Sequence, residues 1–210
     1  MESDRLLDPL IGVLDRGLRA VFAPAQGVRP LPAGPQTSEL SEPQRRHSAA
    51  LMRVNHAGEI AAQALYHGQA FAARAGAAHD LLEKAAAEET DHLAWCEARL
   101  AELGSRPSLL NPFWYAGSFA LGVLAGSLGD RMSLGFVAET ERQVEGHLDS
   151  HLSSLPAADT RSRAIIEAMR TDEIAHGERA LAAGGAALPT PLRTLMRFAA
   201  GIMTSTAYWV

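Results

Sequence analysis

The tetrad Glu-x-x-His occurs twice, as Glu89-Thr90-Asp91-His92 and as Glu173-Ile174-Ala175-His176. Chance alone gives on the order of 0.6 such tetrads at this Glu and His content, so spacing has to supply the argument. On a helix, positions i and i+3 share a face one short rise apart, which lets carboxylate and imidazole reach the same ion. A further Glu precedes each tetrad: Glu59 lies 30 residues before Glu89, and Glu141 lies 32 before Glu173. In an antiparallel hairpin, residues equidistant from the turn sit at one depth. The two midpoints, residues 74 and 157, fall beside Gly76 and Pro156, both helix-stopping residues. The spacing therefore predicts that Glu59, Glu89, His92, Glu141, Glu173 and His176 meet at one level of a four-helix interior.

One Glu from each of two helices, with Glu-x-x-His from each of the other two, is the di-iron or di-manganese pattern of ferritin-like bundles. Carboxylate and imidazole without thiolate suit iron or manganese better than a closed structural zinc site. Glu89 and Glu173 are the expected bridges between two ions, and four carboxylates against two divalent cations make a neutral cluster. Two such ions would move the formal net charge from -5 to about -1. Asp172, next to Glu173, is placed to orient His92 from behind, although an exposed Asp is the plainer reading. His56 competes with Glu59 as a ligand on its helix, and His147 with His151 forms an i,i+4 pair without a carboxylate across a turn. His47, His67 and His79 read as surface or satisfied core residues.

The elements that must position these groups are helices. The chain has 210 residues, enough for one domain with a real core, and its lone Cys96 excludes an internal disulfide or a cysteine-based zinc site. The start Met1-Glu2-Ser3-Asp4 lacks the basic and apolar runs of a signal peptide, and net acidity without a basic block argues against nucleic acid as a partner. Residues 4–22 carry apolar side chains at helical spacing, Leu6, Leu7, Leu10, Leu14 and Leu18 among them, so an amphipathic helix is expected. Pro24, Pro30, Pro32, Pro35 and Pro43 then mark a linker or an extended strap. Helices are expected at 46–75, 78–103, 130–154, 159–183 and 190–208, with Gly104, Pro156 and Gly184-Gly185 as stops and Asp159 and Thr190 as N-caps. The division is residues 1–44, amphipathic helix and Pro-rich linker, and residues 45–210, an all-α ferritin-like four-helix bundle with an apolar crossover helix and a further C-terminal helix.

Charge is distributed unevenly. Ser108 to Gly129 has no charged side chain, and Ala180 to Val210 has only Arg193 and Arg197. The apolar crossover, about 107–129, is too short and too rich in Gly and Ser to span a bilayer, but Phe113, Trp114 and Tyr115 at its start resemble an interfacial anchor. The last helix has similar character, so contact with a membrane surface is expected of both. Packing on the bundle or an oligomer contact is the plainer reading.

The runs Leu51-Met52-Arg53-Val54-Asn55-His56-Ala57-Gly58-Glu59, Glu89 to His92, Ser105-Arg106-Pro107-Ser108 through Asn111-Pro112, Gly129-Asp130, and Asp172 to His176 together resemble the demethoxyubiquinone hydroxylase family of ubiquinone biosynthesis in its bacterial form. The similarity covers nearly the whole chain. It implies a ferritin-like di-iron monooxygenase, peripheral on the cytoplasmic side of the cell inner membrane, which uses O2 to hydroxylate a polyprenylated demethoxyubiquinol. Its ligand positions fall on the six residues already reached by spacing. This chain has Asn55 where some relatives have Asp, and Leu148 where some have Tyr, so a relay through that Tyr is not carried over. A homo-oligomer or a quinone-biosynthesis complex is compatible with the resemblance. The competing readings are iron storage or detoxification, a non-catalytic membrane or assembly protein, and a di-iron hydroxylase of another lipid or of modified RNA.

Overall fold

The structure, a computed structural model, describes residues 4–32, 34 and 39–210, with side chains from residue 11 onward. Met1 to Ser3, Pro35 and the side chains of Leu6, Leu7 and Leu10, which figured in the expected N-terminal pattern, lie outside the described residues. The described chain is all-helical: α1 Asp4–Phe22, α2 Glu42–Ala72, α3 Ala77–Glu102, α4 Asn111–Ser127, α5 Asp130–Ser154, α6 Thr160–Ala182 and α7 Thr190–Ala207. This is the expected ferritin-like bundle, with α2, α3, α5 and α6 as its four helices, α4 as the crossover, and α1 and α7 added at the ends.

Local chemistry explains most boundaries. α2 begins four residues earlier than expected because the Gln44 side chain accepts a hydrogen bond from the Ser41 amide at 3.0 Å, half of a capping box, and Pro43 is tolerated in the first turn. Gly104 (φ 68°) and Gly184 (φ 98°) adopt the left-handed conformation that ends α3 and α6, where Ser105 and Gly185 amides return to the Leu100 and Ala180 carbonyls. Asp159 caps α6 as expected, accepting from the Ser162 amide at 3.0 Å. Thr190 does not cap α7: Pro189 occupies that position and the Thr190 hydroxyl instead accepts from Arg193.

α2 is the central element, with 20 of its 31 residues buried. α3 returns antiparallel to it, and α4 then runs parallel to α2, from the Asn111–His56 hydrogen bond at one end to the contact of Gly126 with Gln69 at the other. The close approach depends on missing side chains: a Cβ on Gly122 would overlap the Leu65 carbonyl oxygen, and one on Gly68 would overlap that of Phe119. α5 then runs antiparallel to α2, and α6 pairs with α5.

The two largest apolar clusters of the core have a polar layer between them. One holds Met52, Cys96, Leu100, Leu148, Ile166 and Met169, and the other Leu65, Tyr66, Leu82, Phe136, Val137 and Ala180. Along every bundle helix, the six residues singled out in the sequence fall between these clusters.

α1, α4 and α7 lie outside the bundle. Ala20 and Val21 of α1 pack on Tyr115 and Phe119 of α4, while Trp114 of α4 packs beside Ala207 and Tyr208 at the end of α7. Their outer sides leave Leu14, Leu18, Phe113, Leu124, Phe198 and Trp209 exposed, at 59% or more of their surface. Among the described residues, no helix is long and apolar enough to cross a membrane.

Candidate metal centre

The six residues meet. All are buried, none more than 3% exposed, in a layer closed above and below by apolar packing. Ligand atoms of Glu59, Glu89, His92 and Glu173 lie within 4.8 Å of one another, and those of Glu89, Glu141, Glu173 and His176 form a second such group. The groups share Glu89 and Glu173. Glu89 directs Oε2 to His92 Nδ1 at 2.9 Å and Oε1 to His176 Nδ1 at 3.3 Å. Glu173 does the same, Oε1 to His92 at 3.1 Å and Oε2 to His176 at 3.3 Å. Glu59 approaches only His92, at 3.4 Å, and Glu141 only His176, at 3.8 Å. Two residues that face both ways and two that face one way are the geometry of bridging and terminal carboxylates.

Both imidazoles turn Nδ1 inward and are held from behind through Nε2. His92 Nε2 is 2.9 Å from Asp172 Oδ2, as expected from the sequence, and His176 Nε2 is 2.6 Å from Glu88 Oε2. Glu88 went unnoticed in the sequence reading although a signal was present. An acid precedes the Glu of each tetrad, and each copy's preceding acid holds the other copy's His, so the repeat is acid-Glu-x-x-His. Such partners fix the tautomer and orientation of a metal-binding imidazole.

The electrostatics of the layer call for positive charge inside it. Burial drives the Glu59 and Glu141 carboxyls well above the usual carboxylate range, and neighbouring acids reinforce the effect. Burial opposes protonation of His92, but the close carboxylates of Asp172, Glu173, Glu59 and Glu89 outweigh it and hold the imidazole well above its ordinary value. The same contest, burial against the close carboxylates of Glu173 and Glu89, carries His176 up to about 11. Several oxygens nonetheless have no hydrogen-bond donor: Glu89 Oε1 and both oxygens of Glu141 and Glu173 are buried without one, as is His176 Nδ1. Buried lone pairs converging on one small volume, from oxygen and imidazole nitrogen without sulfur, fit hard divalent cations of the iron or manganese type. The clusters can hold metal ions.

The other histidines do not join them. His56 is buried between Asn111 and Glu97, against which its Nε2 stands at 3.5 Å, and is not a ligand beside Glu59. His47 bonds to Tyr208 and Ser154, His67 to Tyr115 Oη at 3.1 Å, and His79 stands beside Asp80. His147 and His151 pack edge to face with ring centroids 4.0 Å apart. Burial, with His147 and His47 adding repulsion, lowers His151 to about 3. An unfolded His takes up a proton near pH 6.5, whereas folded His151 refuses it down to about 3, so its stabilising contribution is full above pH 6.5 and lost as pH falls. Between pH 6.5 and 4 a suppressed protonation of this kind is worth about 3 kcal/mol. The variant His151→Leu is expected to flatten the fall of melting temperature between pH 6.5 and 4; a slope identical to that of the wild type would refute this.

The chain was compared with known proteins. A family model described as ubiquinone biosynthesis protein COQ7 matches residues 46–207. A protein of Burkholderia vietnamiensis named 3-demethoxyubiquinol 3-hydroxylase is 59% identical over 207 residues, covering 98% of this chain and 100% of the relative. A protein of Bordetella parapertussis with the same name is 61% identical over 206 residues, covering 97% of this chain and 93% of the relative.

Proposed function

Because the chain belongs to the family of the ubiquinone biosynthesis protein COQ7, we propose that it is an O2-dependent 3-demethoxyubiquinol 3-hydroxylase whose two iron ions are held by Glu59, Glu89, His92, Glu141, Glu173 and His176. The observation that carries this reading is the pair of buried ligand groups sharing Glu89 and Glu173. Bound iron supplies the activation of O2 and the transfer of one oxygen atom to a ring carbon. Overall, one oxygen atom enters a ring C–H bond as a hydroxyl and the other leaves as water, with two electrons and two protons drawn from an external reductant.

The chain's own residues bind and exclude. Glu89 and Glu173 would help to hold both ions, while Glu59 with His92 and Glu141 with His176 would each help to hold one. Asp172 and Glu88 keep the imidazole Nδ1 lone pairs turned inward. The two apolar clusters keep water from both sides of the layer, which strengthens every charge interaction inside it.

The substrate's polyprenyl tail cannot leave a bilayer cheaply, so the enzyme sits peripherally on the cytoplasmic side of the cell inner membrane. The support is the row of exposed apolar side chains on α1, α4 and α7, together with the absence of any charge in α4.

The test is anaerobic loading with Fe(II) and metal counting, followed by O2, a reductant and a demethoxyubiquinol, with mass analysis of the product. Two irons per chain and a product heavier by one oxygen atom are expected. Iron uptake without product would favour storage and sink the hydroxylase reading.

A further inference from the structure

We infer that Arg29, on the Pro-rich strap between α1 and α2, is a positioning residue of the metal centre and that the strap completes the site from outside the bundle. This rests on the metal-centre reading given above. The two halves of the layer are built alike. On one side, His176 is held by Glu88, and Glu88 by Arg179 Nη2 at 2.8 Å, from α6. On the other side, His92 is held by Asp172, and Asp172 by Arg29 Nη2 at 2.8 Å. Each chain of imidazole, carboxylate and guanidinium is complete, but only one of its two arginines belongs to a bundle helix.

The seat of Arg29 is closely determined. Its Nε donates to Asp91 Oδ2 at 2.7 Å while its Nη2 reaches Asp172, so one planar guanidinium clamps α3 to α6 beside His92 and Glu173. The Val28 and Arg29 amides both donate to Asp91 Oδ1, at 2.6 and 3.1 Å. The guanidinium carbon lies 4.6 Å from the centre of the Trp95 ring, and that ring is 5.3 Å from His92. On either side, the Ala25 amide donates to Glu97 at 3.0 Å and Gly34 lies against the Thr160 backbone. Ala25, Val28, Arg29 and Gly34 thus together touch both helices, with Arg29 beside the metal layer, joining α3 to α6, and Gly34 at the start of α6. Asp91 sits next to His92 and has no place among the ligand groups; holding the strap accounts for its burial.

If Arg29 acts through Asp172 on His92, its loss weakens the hold on one ion and spares the other. Loss of Arg179 does the converse. The test uses the full chain loaded anaerobically with Fe(II), followed by release to an excess of chelator, in the wild type, Arg29→Ala, Arg29→Lys, Arg179→Ala and the double alanine variant. In Arg29→Ala, half of the iron should leave about tenfold faster than in the wild type and the other half at the wild-type rate. Arg179→Ala should accelerate one half alone, and the double variant both halves, which requires the two arginines to serve different ions. Arg29→Lys keeps the charge without the fork and should fall between wild type and alanine. Unchanged release in Arg29→Ala overturns the inference. So does equal acceleration of both halves with a matching loss of melting temperature in the metal-free chain, which would make the strap merely structural. A wild-type chain that holds no iron overturns the metal-centre reading and this inference with it, whereas failure of Arg29→Ala alone leaves that reading standing.

Discussion

Glu173→Ala is expected to lose iron and to reduce hydroxylation by about 10³-fold or more, equivalent to about 4 kcal/mol in the activation barrier. Glu173 is one of two residues shared by both ligand groups, so its removal damages both ion positions at once. What separates a ligand from an ordinary core residue is the sign of the stability change. Truncating a buried apolar side chain costs about 2 to 5 kcal/mol. Glu173, by contrast, adds repulsion to Glu59 and Glu141, whose carboxyls burial already holds far above their usual range. Removing it relieves that repulsion, which offsets the lost contacts to His92 and His176, so the metal-free variant should melt no lower than the metal-free wild type, while the iron-dependent rise in melting temperature disappears. Retained iron with full hydroxylation would overturn the assignment of Glu173, and a large destabilisation of the metal-free chain would assign it a packing role instead.

Replacing Phe113 and Phe198 together by Asp is expected to lower partition onto lipid vesicles by about 100-fold or more. Both rings are exposed, at 72% and 67%, on α4 and α7, two helices whose ends meet where Trp114 packs on Ala207. Burying a Phe side chain is worth about 1.5 to 3 kcal/mol, and the two losses add when the residues are far enough apart not to share partners. Because neither ring is in the core, the fold should survive with its melting temperature little changed. Hydroxylation of a long-tailed quinol presented in vesicles should fall with binding, whereas a quinol with a truncated tail in solution should be turned over as by the wild type. Undiminished vesicle binding would show that these faces meet something other than lipid.

Most of the bundle was legible in the sequence because helices are local. The stops at Gly104 and Gly184 and the cap at Asp159 act within a few residues of themselves, and each works in the structure as expected. The start of α2 is hidden in the sequence because Pro43 reads as a breaker unless the Ser41–Gln44 pair on either side of it is weighed first. Thr190 has a capping side chain in a plausible place, but the chain turns one residue earlier, at Pro189. The docking of α4 was illegible for another reason. Gly68 and Gly122 each look like weak points of a helix, and only their mutual approach explains them.

The candidate site divides along the same line. Four carboxylates and two imidazoles converge because helical rise is constant: two hairpins whose midpoints lie on turns bring equidistant residues to one depth, and that much follows from spacing alone. The sequence by itself therefore determined the helices, the six residues and their shared level. That Glu89 and Glu173 lie between the two histidines was expected from the tetrads, but the distances at which they face both imidazoles were decided by packing of the two hairpins against each other, since these depend on rotation and not on register. So was the pairing of Glu88 with His176, whereas that of Asp172 with His92 was expected from the sequence. Arg29 stands furthest from any sequence rule. Its bond to Asp91 spans 62 residues, and the Pro-rich strap that carries it has no periodicity to reveal which face it covers. A segment without helical period takes its position from the surface beneath it, and that surface exists only once the bundle has folded.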